Sequence, residues 1–109
     1  MNKKYNEYEL KVIKLIQKYG NHKLNEQEMI KVHWMKQEEK ENIEHTIIDY
    51  YTKKIQDCYT DINNIQKNKF KKKEEKTKLI NELYDDIINL NLFLNKTLKK
   101  LQINFYSEI

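Results

Sequence analysis

Apolar side chains return every three or four positions along almost the whole chain, with polar residues filling the places between them. Long α-helices are the only regular structure that this spacing supports well, because it gathers the apolar positions onto one stripe of a helix. Tyr5, Tyr8, Val12, Leu15 and Tyr19 form the first stripe, widened by Ile13 and Ile16, and the pattern predicts a helix that ends at Gly20 and Asn21 with the glycine as its C-terminal cap. Asn25, followed three residues later by Glu28, predicts the N-cap and capping box of a second helix.

The second stripe is harder to close. From Ile65 it can be followed backward through Ile62, Cys58, Ile55, Tyr51 and Ile48 to Glu44, Glu41 and Gln37, where it turns polar, and then in the same phase to Trp34 and Ile30. No residue in the polar gap is a true helix breaker, so the expectation is one helix from about Glu26 to Asn68; the alternative is a bend near Lys40, Glu41 and Asn42. At about 1.5 Å per residue a continuous helix would approach ~65 Å, so part of it would project or meet a partner.

Five lysines between positions 67 and 73 mark the next turn, with Glu74 and Glu75 suited to the first turn of the helix that follows. Its stripe is Ile80, Leu83, Ile87, Leu90, Leu94 and Leu101, flanked by Leu79, Tyr84, Ile88, Leu98 and Ile103. The tail from Ile103 to Ile109 is apolar enough to dock back or to reach a neighbour. The pattern thus predicts an all-α fold. It is an antiparallel bundle of three long helices, four if the middle one bends near residues 40–42, with coiled-coil-like packing and residues 1–109 as a single helical-bundle domain.

Composition agrees: there is no Pro, a single Gly, no Ala and no Arg, so all 21 basic residues are Lys. Lys, Asn, Ile and Tyr have AT-rich codons, and the bias points to an AT-rich genome such as that of a low-GC bacterium, its phages or plasmids, or a large virus. No apolar run reaches the ~20 residues that span a bilayer, and no signal peptide is legible, so the expected location is cytoplasmic, or host-cytoplasmic if the chain is viral. Cys58 is the lone cysteine and excludes an intrachain disulfide. The net charge is +4, but it is uneven along the chain. Residues 1–24 and 69–109 are basic and 25–68 acidic, which suits the register of an antiparallel bundle as well as it suits an anionic ligand.

Catalytic chemistry finds little support. A single Gly excludes a glycine-rich phosphate loop, Cys58 sits at a seam position where cysteine behaves as a small hydrophobe, and no enzyme activity or cofactor is expected. His33, Gln37, Glu41 and His45 recur every fourth residue, yet four-residue steps drift about 40° each around a helix, so they do not converge and no metal site is expected.

Two binding surfaces remain. Ile30, Trp34, Met35, Ile47, Tyr50 and Tyr51 widen the apolar arc beyond what one neighbouring helix needs and predict a face for a protein partner or a second copy of the chain. Lys67, Lys69, Lys71, Lys72, Lys73, Lys76 and Lys78 predict the alternative, a nucleic-acid surface in the turn, aided by a basic first helix in which Lys3, Lys4, Lys11, Lys14 and Lys18 interleave with Tyr5, Tyr8 and Tyr19. The expected role is that of a small non-enzymatic adaptor, regulator or inhibitor of phage or mobile-element type, with no membrane involvement.

Overall fold

A computed structural model of the chain describes residues 6–107. Four α-helices make up its regular structure: α1 (Glu7–Leu15), continued by one wide π-helical turn over Ile16–Gly20, α2 (Glu26–His33), α3 (Gln37–Lys67) and α4 (Lys73–Tyr106), with no strand among the described residues. Tyr5 of the first stripe and Glu108 and Ile109 of the tail lie outside the described residues.

The frame is the antiparallel pair α3 and α4, of 31 and 34 residues. Its register can be read from contacts along its length. Lys76 Nζ donates to the Gln66 carbonyl at 3.2 Å near the tip, the Tyr51 and Phe93 rings meet at 5.4 Å midway, and Gln37 Nε2 donates to the Tyr106 hydroxyl at 3.4 Å at the far end. At that far end α4 has no basic residue in its last turn, and Lys40 of α3 serves instead, donating from Nζ to the Phe105 carbonyl at 3.2 Å.

The short helices cover only one half of this hairpin. Val12, Ile16, Leu24 and Val32 from the first third of the chain pack with Ile47, Leu94, Leu101 and Phe105 into one core. Tyr8, at the start of α1, donates from its hydroxyl to the Thr46 carbonyl at 3.4 Å and stands 5.9 Å from the Tyr50 ring, and there the cover stops. Ile62 and Ile87, the buried residues towards the tip, stand outside the common core. The result is an elongated body of 58 × 28 × 23 Å with a three-layered end and a two-helix end.

Two polar residues on α4 hold the layers together. Asn104, 3% exposed, donates from Nδ2 to the carbonyls of Tyr19 at 2.7 Å and His22 at 2.9 Å and accepts at Oδ1 from the Leu24 amide at 3.3 Å. It thereby satisfies three backbone groups of the connection between α1 and α2, which would otherwise be buried without partners. Two turns earlier, Thr97 lies against Gly20, where an added Cβ would come within 2.9 Å of Thr97 Cγ2.

The helix ends at Gly20 and Asn21 as expected, but the glycine is needed there for closeness and not for a left-handed backbone. No residue of the described chain has a positive φ, and the glycine is required because a side chain would not fit between the two helices. The expected capping box at Asn25 is present, Asn25 Oδ1 accepting from the Glu28 amide at 2.8 Å and Glu28 Oε1 from the Asn25 amide at 3.1 Å. The second of these bonds, from the Asn25 backbone amide, holds the Glu28 carboxyl below its ordinary range.

The middle helix is not continuous, and its break lies before residues 40–42. α2 ends at His33, Trp34 forms its C-cap, and Lys36 is extended at φ −67° and ψ 148° before α3 begins. A continuous helix would keep Ile30 and Trp34 in phase with Gln37, Glu41, Glu44 and Ile48, which share one line of α3. By breaking, the chain turns Val32 and Met35 inward from the first segment and Ile43 and Ile47 from the second, while Glu38, Glu39 and Glu41 stay exposed. The segment expected as a tail forms the last turn of α4 from Ile103 to Tyr106, with Phe105 buried.

Two substitutions test these joints by thermal or urea unfolding. Gly20→Ala should destabilise the protein by about 1–3 kcal/mol despite the intrinsic helix preference of Ala, and Thr97→Ser, which removes the clashing methyl, should return much of that loss in the double variant. Asn104→Ala should cost about 3 kcal/mol through the backbone groups it strands.

Candidate functional site

The six residues expected to form a partner face do not form one surface. Ile47 is fully buried and is a core residue, because Val12, Ile16 and Val32 of the short helices join it in the common core. Met35, Tyr50 and Tyr51 are half-buried against the core, Tyr50 standing edge-on to Tyr51 at 5.1 Å with Lys54 Nζ above it at 5.1 Å from the ring centroid. Ile30 and Trp34 remain outside. They lie four residues apart at the end of α2, 47% and 82% exposed, on the side opposite Val32. Trp34 had been assigned to the seam; the same break that buries Met35 leaves it in water.

The lysine cluster is brought together. Lys67 ends α3, Lys73 opens α4, and Lys69, Lys71 and Lys72 fall in the connecting turn, with Lys76 and Lys78 in the first turns of α4. Asn68 Oδ1 accepts from the amides of Phe70 at 2.8 Å and Lys71 at 3.2 Å, which fixes the turn, and Lys71 Nζ pairs with Glu75 at 3.5 Å. Phe70, which the sequence reading passed over, is 98% exposed at the apex of this basic tip. Its signal was an apolar residue between lysines with no stripe to belong to. Of the basic first helix, Lys11, Lys14 and Lys18 are exposed, while Lys3 and Lys4 lie outside the described residues.

A third surface is absent from the sequence reading altogether. Beyond the start of α1 an open groove of about 870 Å³ runs between α3 and α4, with Asn6, Tyr8 and Glu9 at one end. Asp86 belongs both to this groove and to a smaller one nearer the tip, so the two lie on one face of the hairpin. Cys58, half-buried, lines the larger groove. Burial and then the carboxylates of Asp86, Asp61 and Asp57 push its thiol above the ordinary range, which favours the unreactive protonated form. At the opposite end of the hairpin, burial and then the nearby Glu44 carboxylate likewise raise the Tyr106 phenol.

His33 closes α2 and His45 lies on α3, both exposed and on separate helices, and no group of three metal-binding side chains occurs among the described residues. No described helix is long and apolar enough to cross a membrane. The fold is therefore that of an all-α helical bundle whose special features are surfaces. In comparison with known proteins the chain matches no family model, no curated protein and no solved structure.

The thiol offers a direct probe of the groove. Alkylation of Cys58 at pH 8 should be slower than that of a free cysteine peptide, and Asp86→Asn should accelerate it about twofold by removing a charge that opposes thiolate formation. Equal rates for the two proteins would place the acidic side chains too far away to act.

Proposed function

We propose that this protein is a small non-enzymatic binding module that engages another protein through an exposed helix face. The observation that carries the reading is Trp34, 82% exposed beside Ile30 on one side of α2. Trp is the side chain most enriched at interface hot spots, and in a chain with a single Trp its placement in water needs an account that core packing does not give. The role of adaptor, regulator or inhibitor, working in the cytoplasm and encoded by a phage or mobile element, follows from small size and AT-rich composition.

A second reading has its own observation in the tip, where Phe70 stands fully exposed among lysines. An aromatic face beside several ammonium groups suits a single-stranded nucleic acid, with the ring stacking on a base and the lysines neutralising phosphates. Missing Arg removes the side chain best suited to bidentate reading of guanine, so such binding would be charge-driven.

The two readings separate by photo-crosslinking from position 34 and from position 70 in cell extract, combined with anisotropy against short DNA and RNA over a salt series. Protein adducts from position 34, abolished by Ile30→Ala and unaffected by exchanging Lys71, Lys72 and Lys73 for Gln, are the expected result. Micromolar binding to oligonucleotides with a steep salt slope, lost in the Gln variant and kept in Trp34→Ala, would favour the tip instead.

A further inference from the structure

We infer that the groove between α3 and α4 is the docking track for a basic amphipathic helix, about four turns long, supplied by another protein. The inference rests on the binding-module reading and names a second surface for it, remote from Trp34, together with the chemistry of the partner.

Shape comes first. The face runs from Tyr50 and Phe93, level with the start of α1, to Ile65 and Leu79 near the tip. Fifteen helical positions on each side give about 22 Å, the length of four turns. Along it Cys58 and Ile65 from α3 and Leu79, Leu83 and Leu90 from α4 are half-buried, lining the seam between two helices, which Asn6, Tyr8 and Glu9 border only at the α1 end. A two-helix layer with such a floor lacks the third element that the other end of the hairpin has.

Charge selects the occupant. Asp57 and Asp61 stand on the α3 side and Glu82 and Asp86 on the α4 side, all exposed, and none takes part in an ion pair among the described residues. The two lysines of this face, Lys53 and Lys54, lie at its α1 end. A helix set into the groove with its apolar side down would present its flanking positions to carboxylates on both banks, so Lys or Arg at those positions is favoured and Glu or Asp opposed.

The chain itself supplies the precedent. α1 and its π-helical turn lie on the covered half with Val12 and Ile16 inward and Lys11, Lys14 and Lys18 in solvent, and the groove opens where α1 begins. A second helix of that chemistry, placed farther along, would extend an interface the fold already uses.

The test uses the full chain and two fluorescein-labelled peptides of fifteen residues, each with Leu at three- and four-residue spacing and with either Lys or Glu at every other position. Anisotropy at physiological salt should show the Lys peptide binding at least about tenfold more tightly than its Glu twin, with affinity falling as salt rises. Occupancy should slow Cys58 alkylation. Asp57→Lys combined with Asp86→Lys should reverse the preference, and the milder pair of Asn substitutions should weaken the Lys peptide without unfolding the chain, as checked by circular dichroism. Equal binding of the two peptides, an unaffected Lys double variant, or crosslinks that fall around Phe70 would overturn the inference. So would a dimer by sedimentation that the Lys double variant dissociates, since a second copy would then fill the track. If the groove fails while Trp34-dependent capture persists, the binding reading stands without it; if position 34 captures nothing either, both fall.

Discussion

The side chain on which the arrangement of layers depends is that of Asn104. Its amide meets two carbonyls and an amide from residues 19–24, roughly eighty positions away in the chain, and so ties the first third of the protein to the last turns of α4. A buried connection between helices carries backbone groups that water cannot reach, and one asparagine answers three of them in a single geometry. The Gly20 contact with Thr97 lies two turns along the same face and allows the backbones to come close enough for those bonds to form. α1 and α2 are therefore placed by polar registration as much as by apolar burial, and the apolar residues beside them, Leu24, Leu101 and Phe105, are closed around the joint.

From that joint follows the asymmetry of the molecule. Because both short helices are drawn to the end of α4, the opposite end of the hairpin is left as a pair of helices with a basic tip and an acidic face. The three exposed features then fall at separate places: Trp34 at the end of α2, Phe70 at the tip, and the groove midway between α3 and α4. Their separation means that the surfaces can be altered independently, since none shares a residue with another.

Helical periodicity made the class of fold legible, together with the turn after residue 67, the capping box at Asn25 and the stripe through Ile87, Leu94 and Leu101. It failed where packing overrides the period. The break at residues 34–36 contains no Pro or Gly; a continuous helix would have kept Ile30 and Trp34 in phase with Ile48, whereas the break lets Val32 and Met35 face the core. Ile47, expected on the partner face, lies in the core instead, whereas Trp34 is exposed as that face requires. Thr97 and Asn104 were invisible for a different reason: a polar residue at a heptad position reads as an interruption until its partners, eighty positions away, are known. The groove was invisible because an uncovered seam has the same sequence pattern as a covered one.

The pairing of the two ends of the chain also bears on how the protein is made. α3 and α4 are neighbours in sequence and can close as soon as both are synthesised, but the core of Val12, Ile16 and Leu24 is completed by Leu94, Leu101 and Phe105. During translation the apolar face of α1 therefore waits, only partly matched, until the end of α4 has left the ribosome, and the core is completed last although its first residues are made first. A folding order of that kind leaves the nascent chain with an exposed amphipathic helix and an open hairpin, two surfaces already suited to one another before the native joint at Asn104 decides where α1 will lie.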